Sequence, residues 1–186
     1  MSSTLVVNVL DLLRRAGSEK SVSVVVKASE FDFADSRINA ESDVSVEIEL
    51  ESSSTGVLAR GSASVDWSSV CRRCLRPVSG MVVAEIDESF SRGVVHAHVP
   101  QGDTAGDPPG ETEPIIGDQI DFTLPVREAV LLAVPAAPLC RADCPGLCPQ
   151  CGVDLSSTKC SCETRTRDER WAALDALRDR LDGTVE

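Results

Sequence analysis

The chain has 186 residues, 42% of them apolar, with two Trp, four Phe, no Tyr and a formal net charge of −12. That is enough for one ordinary domain, or one with a small appendage, whose core must come from Val, Leu, Ile and Ala rather than aromatics. Such a charge repels nucleic acid and anionic membrane except where basic residues cluster locally, and no run approaches the ~18–20 uninterrupted apolar residues of a membrane span.

The opening MSSTLVVNVLDLLRRAG has no basic leader, and Asp11 interrupts its short apolar run, which argues against a secretory signal. A cytoplasmic protein is expected, with reduced thiols, so that cysteine clusters point to metal or redox chemistry. Leu5 to Asn8 reads as a short strand. Val9 to Arg15 reads as a helix, with Val9, Leu12 and Leu13 on one side and Gly17 as its stop. Ser21 to Lys27 is a strand, and residues 28–43, polar and acidic, form a loop. Val44, Val46, Ile48 and Leu50 then alternate with Ser45, Glu47, Glu49 and Glu51, the period of a half-buried strand. A longer strand follows, with Val57, Ala59, Gly61, Ala63, Val65 and Trp67 on one face. After Pro77 comes a third, with Val82, Ala84 and Ile86 inward and Phe90 at its end. Alternation of this kind belongs to antiparallel sheets with one solvated face.

Residues 101–118 are rich in Gly, Pro and acid and read mostly as a flexible loop, of which residues 103–113 are expected to be removable without unfolding, since they offer little to bury. Thr123 is expected to cap a helix with Pro125 in its first turn and Pro135 beyond its end. Six cysteines then crowd residues 136–165, and Asp168 opens a last helix with Trp171, Leu174, Leu177 and Leu181 on one stripe. The fold class is therefore α+β, mainly an antiparallel sheet with a few helices. Residues 1–135 are expected to form the sheet domain, and residues 136–186 a cysteine-rich zinc segment with a helix, packed on it.

The eight cysteines fall into four pairs: Cys71 and Cys74, Cys140 and Cys144, Cys148 and Cys151, Cys160 and Cys162. A C-x2-C turn lets two thiolates grip one metal, and the glycine of CPQCG relieves crowding by accepting positive φ. Cys71 and Cys74 lie between two alternating strands, so CRRCLRP should form a hairpin tip. A redox pair would need a helix after the motif, whereas Pro77 and another strand follow. Zinc, one or two ions, is the expected cofactor. One division gives Cys148, Cys151, Cys160 and Cys162 one site and joins Cys71 and Cys74 to Cys140 and Cys144. The rival is a single site within 140–162 with two thiols spare, and spacing does not decide. His96 and His98 read as strand or loop residues rather than ligands. No G-x-S-x-G, P-loop or carboxylate constellation is present, so no catalytic residue is assigned and the chain reads as a non-enzyme.

The segment PAAPLCRADCPGLCPQCGVDLSSTKCSC, with CRRCLRPV at 71–78, DERWAAL at 168–174 and the N-terminal VLDLLRRAGS, resembles the YceD family. The resemblance implies a part in the accumulation of large-subunit ribosomal RNA, hence ribosome biogenesis, and names no reaction. Asp154 and Ser156 stand where the family's NLN segment has asparagines. The expected function is a non-enzymatic zinc-binding ribosome-assembly factor; the alternative is a zinc-dependent protein–protein adaptor with no ribosomal role. The expected partner is a large-subunit precursor, met through a basic ribosomal protein and ribosomal RNA. Acids concentrate in residues 28–51 and 101–121, whereas Arg72, Arg73 and Arg76 at the hairpin tip, and Arg141, Lys159, Arg165, Arg167 and Arg170 near the other cysteines, could meet phosphates. The sequence sets no oligomeric state.

Overall fold

A computed structural model of the chain describes residues 5–92 and 112–162, with Trp171 and Leu174. His96, His98, the expected helix from Asp168, Arg165, Arg167, Arg170 and residues 101–111 of the acidic loop lie outside the described residues. The chain divides into two compact units, one of residues up to 69 and 77–138, the other of residues 70–76 and those from 139 onward.

The first unit holds two sheets. Strands β2 (Glu19–Lys27), β3 (Asp43–Ser52), β4 (Gly56–Val70), β5 (Pro77–Ser91) and β6 (Glu113–Pro114) form one, in that spatial order. β1 (Val6–Asn8) and β7 (Gln119–Asp121) form the other, paired antiparallel. β2–β3 and β3–β4 are antiparallel, while β6 joins β5 in parallel, so the main sheet is mixed at that edge. The alternation read in the sequence sets its faces. Val44, Val46, Ile48 and Leu50 are buried, with Val57, Ala59, Ala63, Val65, Val82, Ala84, Ile86 and Phe90 from the next two strands, while Glu47, Glu49, Glu51, Glu85 and Asp87 point to water.

Two helices cover the buried face: α1 (Leu10–Arg14) against β3, and α2 (Thr123–Ala133), whose Val126 and Val130 are fully buried, against β5. Thr123 is the first helical residue and not the cap. Phe122 holds the cap position, and the Thr123 N–H donates to Asp121 Oδ1 at 2.9 Å. The polar stretch 28–42 opens with a short 3-10 helix, Ala28–Glu30, and is otherwise a loop, yet it buries Phe31, Phe33 and Ile38. Arg37 fastens it, donating to both Asp35 carboxylate oxygens and, at 2.6 Å, to the Pro135 carbonyl beyond α2. The described end of the acidic loop is structured: Phe90 and Ser91 register with Glu113 and Pro114, and the Ile115 N–H donates to the Ser91 carbonyl.

Candidate metal centre

The second unit contains all eight cysteines. CRRCL and CPQCG, far apart in sequence, fold into the same turn. In the first, the Leu75 N–H donates to the Cys71 carbonyl and the Cys71 N–H to the Arg76 carbonyl, at 2.9 and 2.7 Å. In the second, the Gly152 N–H donates to the Cys148 carbonyl and the Cys148 N–H to the Val153 carbonyl, both at 2.9 Å. The residue after the second cysteine turns left-handed in each, with φ +61° at Leu75 and +74° at Gly152. Glycine accepts that conformation without a Cβ penalty, as expected of CPQCG; at Leu75 a branched side chain bears it.

These turns gather the sulfurs into two groups, Cys71, Cys74, Cys140 and Cys144, and Cys148, Cys151, Cys160 and Cys162. Within each group all four sulfurs lie within 4.8 Å of one another. The first group draws its thiols from two distant segments: Sγ of Cys71 lies 3.8 Å from Sγ of Cys144, and Sγ of Cys74 lies 3.6 Å from Sγ of Cys140. Tetrahedral ligands at the usual Zn–S length of about 2.3 Å stand about 3.8 Å apart, so the spacing fits one cation per group.

The electrostatics point the same way. Backbone N–H groups, that of Cys140 foremost, hold Cys71 at about 6 despite its burial, and those of Cys151 and Gln150 hold Cys148 at about 6. Loss of solvent around its sulfur, then the neighbouring thiols, push Cys140 up to about 12. Contact with Cys151, then loss of solvent, does the same to Cys162. Each group thus favours the thiolate at some of its cysteines, Cys71 and Cys74 in the first and Cys148 in the second, and penalises it at others, the condition a central cation relieves. Two groups of four cysteines could each hold a metal ion.

Two arginines of the tip, Arg73 and Arg76, are exposed yet hydrogen-bond within this unit. The Arg73 carbonyl accepts the Leu147 N–H at 2.9 Å, and its guanidinium donates to the Cys144 and Ala142 carbonyls at 2.9 and 3.3 Å. Gly146 packs so closely here (φ +79°) that an added Cβ would lie 2.9 Å from that carbonyl. Arg76 holds Cys74 below the usual thiol range through its backbone N–H and then its guanidinium. The same guanidinium donates to Ser156 Oγ at 2.8 Å and lies 3.6 Å from Asp154. Asp154 also accepts the Ser156 N–H and hydroxyl at 2.8 and 2.6 Å. The two residues at the family's asparagine positions therefore link the second turn to the first. Arg72 is exposed like Arg73 and Arg76, as are Arg141 and Lys159.

Among the described residues no helix is long and apolar enough to cross a membrane. Uncharacterized proteins of Mycobacterium bovis and Mycobacterium tuberculosis are 37% identical to the chain over 132 residues, 69% of this chain and 59% of theirs. The chain thus spans about 59% of the length of these relatives. The chloroplastic large ribosomal RNA subunit accumulation protein YCED homolog 1 of Arabidopsis thaliana is 30% identical over 63 residues, 34% of this chain and 20% of that protein. No solved structure matches the chain. The family model for the large ribosomal RNA subunit accumulation protein YceD matches residues 59–178, which take in all eight cysteines, and the chain belongs to that family.

Proposed function

We propose that the chain is a non-enzymatic zinc protein of ribosome biogenesis that promotes accumulation of large-subunit ribosomal RNA. The observation that carries this reading is the pair of four-thiol groups, with sulfur spacings suited to zinc, in a chain of the YceD family. Cys71, Cys74, Cys140 and Cys144 would hold one ion, and Cys148, Cys151, Cys160 and Cys162 the other. Zinc so bound supplies folding free energy. Four thiolates fill its tetrahedral shell and leave no open position for substrate, the pattern of structural sites rather than catalytic ones. Protein purified without chelators should carry close to two equivalents of zinc. Iron with visible absorbance, or no metal, would contradict the assignment.

Contact with the large-subunit precursor would run through two kinds of surface. Among the described residues, the exposed face of the main sheet presents Glu47, Glu49, Glu51, Asp66, Glu85 and Asp87, with Arg60 and Lys27 as bases among them, and suits a basic ribosomal protein. Ribosomal RNA phosphates would meet Arg72, with Arg73 and Arg76 contributing charge while their side chains brace the cysteine turns. The adaptor alternative shares the acidic face and drops the ribosome. Co-sedimentation from growing cells separates the two: the proposal expects the chain with large-subunit precursors, and the adaptor reading expects it elsewhere. Changing Arg72 to Ala should weaken any contact with RNA, most visibly at low salt, and leave zinc content unchanged.

A further inference from the structure

β2 lies at the edge of the five-stranded sheet. It pairs with β3 along all nine of its residues with no interruption of register, and among the described residues no strand pairs its other side. The ladder fixes which backbone groups face that free side. At its two ends the Ser52 N–H donates to the Ser18 carbonyl and the Ala28 N–H to the Ser42 carbonyl, so the even-numbered residues of β2 bond to β3. Glu19, Ser21, Ser23, Val25 and Lys27 therefore turn both N–H and C=O outward. Their side chains share the exposed face of the sheet, Val25 at 61% exposure, while Val22 and Val24 lie half-buried at the margin of the core. Natural edges are usually blunted by a bulge, a proline or a central charge. From Ser21 to Val26 β2 has none of these.

The charges at its ends select the partner. Glu19 and Lys27 stand equally far from Ser23, one on each side. If a second copy lies antiparallel, with the two-fold axis at Ser23, Glu19 meets Lys27 of the second copy at both ends. Ser21 then faces Val25, and Val22 faces Val24, which continues the core margin across the junction. Odd residues meet odd residues, so the free N–H and C=O groups of both edges find partners. Within its own sheet Glu19 stands opposite Glu51, a like-charge pair that the second copy's Lys27 relieves, while Lys27 keeps its bridge to Asp43 at 2.6 Å. A parallel pairing sets like charge on like, and a two-residue slip removes both ion pairs. We propose that β2 is a self-complementary edge through which two copies of this chain join into one continuous sheet across a two-fold axis.

Sedimentation equilibrium and native mass spectrometry of the zinc-loaded full chain, from micromolar to millimolar concentration, test this. A concentration-dependent dimer is expected. Glu19→Lys and Lys27→Glu should each weaken it about tenfold or more, because each turns two attractions into two repulsions. The two single variants mixed in equal amounts should form a heterodimer, and the double variant E19K/K27E should recover the homodimer. Ser23→Pro removes an N–H that faces away from β3, and should leave the chain monomeric with its circular dichroism retained. A chain that stays monomeric throughout the range overturns the proposal. So does a dimer indifferent to the single reversals, or a mixture of the reversed chains that does not associate.

Discussion

The two cysteine groups use the same turn and the same ligand set, and differ in what they join. The second takes its thiols from Cys148 to Cys162, a short local stretch, with Cys151 exposed and Cys160 and Cys162 half-buried. The first ties residues 71 and 74 to residues 140 and 144, with Cys71, Cys74 and Cys144 buried. Loop closure makes the difference matter. A local site orders a few residues, whereas one that spans a long stretch of sequence removes far more chain entropy once formed and loses more when broken. Identical chemistry can therefore serve two structural purposes.

The largest expected effect breaks that comparison directly. Cys71→Ser and Cys160→Ser should each lower bound zinc from two equivalents to one, since each leaves three thiols. Structural zinc contributes on the order of 10–16 kcal/mol in small peptides, so either loss should be visible in thermal unfolding. The consequences should diverge. Losing Cys71 should raise amide exchange in 70–76 and 139–147 together, because the Arg73–Leu147 and Arg73–Cys144 bonds depend on the same closure. Losing Cys160 should raise exchange from 148 onward and spare 70–76. If exchange after Cys71→Ser rises in 70–76 alone, the shared closure is wrong. A competing chelator should likewise remove zinc in two steps, the less buried second group first.

A smaller effect separates two glycines with nearly the same φ. Gly146 (φ +79°) presses on the Arg73 carbonyl, whereas around Gly152 (φ +74°) an added Cβ meets nothing within 4 Å. Gly146→Ala should cost about 2–3 kcal/mol, left-handed strain plus a displaced backbone contact, and Gly152→Ala only about 1 kcal/mol from strain alone. Both variants should keep two zinc ions. Equal losses in chemical denaturation would mean that the approach of Gly146 to Arg73 carries no load.

Much of this was legible in the sequence, and the reasons for the rest are physical. β3, β4 and β5 announce themselves because one face is buried and the other wet, which writes a period of two into the residues. β6 and β7 carry too few residues to show any period, so the end of the acidic loop read as unstructured and the β1–β7 pairing went unseen. Phe31, Phe33 and Ile38 hide among acids because they are delivered singly by a loop, with no repeat to expose them. The α2 cap was misplaced by one residue: Phe122 holds the position without a side-chain cap bond, while Thr123, a good cap residue by type, is already helical, and the choice turns on where the helical backbone begins. The pairs of cysteines were visible, yet their division was not, because spacing along the chain does not report which pairs meet in space. The bonding of Arg73 and Arg76 within the cysteine unit was equally hidden, since an arginine beside a cysteine reads the same whether or not it meets a neighbouring carbonyl or hydroxyl.

The smallest effect concerns Leu75, which occupies in the first turn the position that Gly152 occupies in the second. Both accept φ near +60 to +75°, and both donate the N–H that closes the turn. An L residue in that conformation pays roughly 1–2 kcal/mol, whereas glycine pays mainly in unfolded-chain entropy, up to about 1 kcal/mol. The leucine side chain recovers little by burial, being 60% exposed. Leu75→Gly should therefore change stability by no more than about 1 kcal/mol, in the stabilising direction, and leave both zinc ions bound. Gly152→Leu should do the opposite by a similar amount, because its surroundings are open and strain is the only cost. The double variant then exchanges the two residues between equivalent turns, and its melting temperature should return close to that of the parent. If Leu75→Gly destabilises the chain by several kcal/mol while zinc remains bound, the leucine is making a contact that its exposure does not reveal, and the two turns are not equivalent.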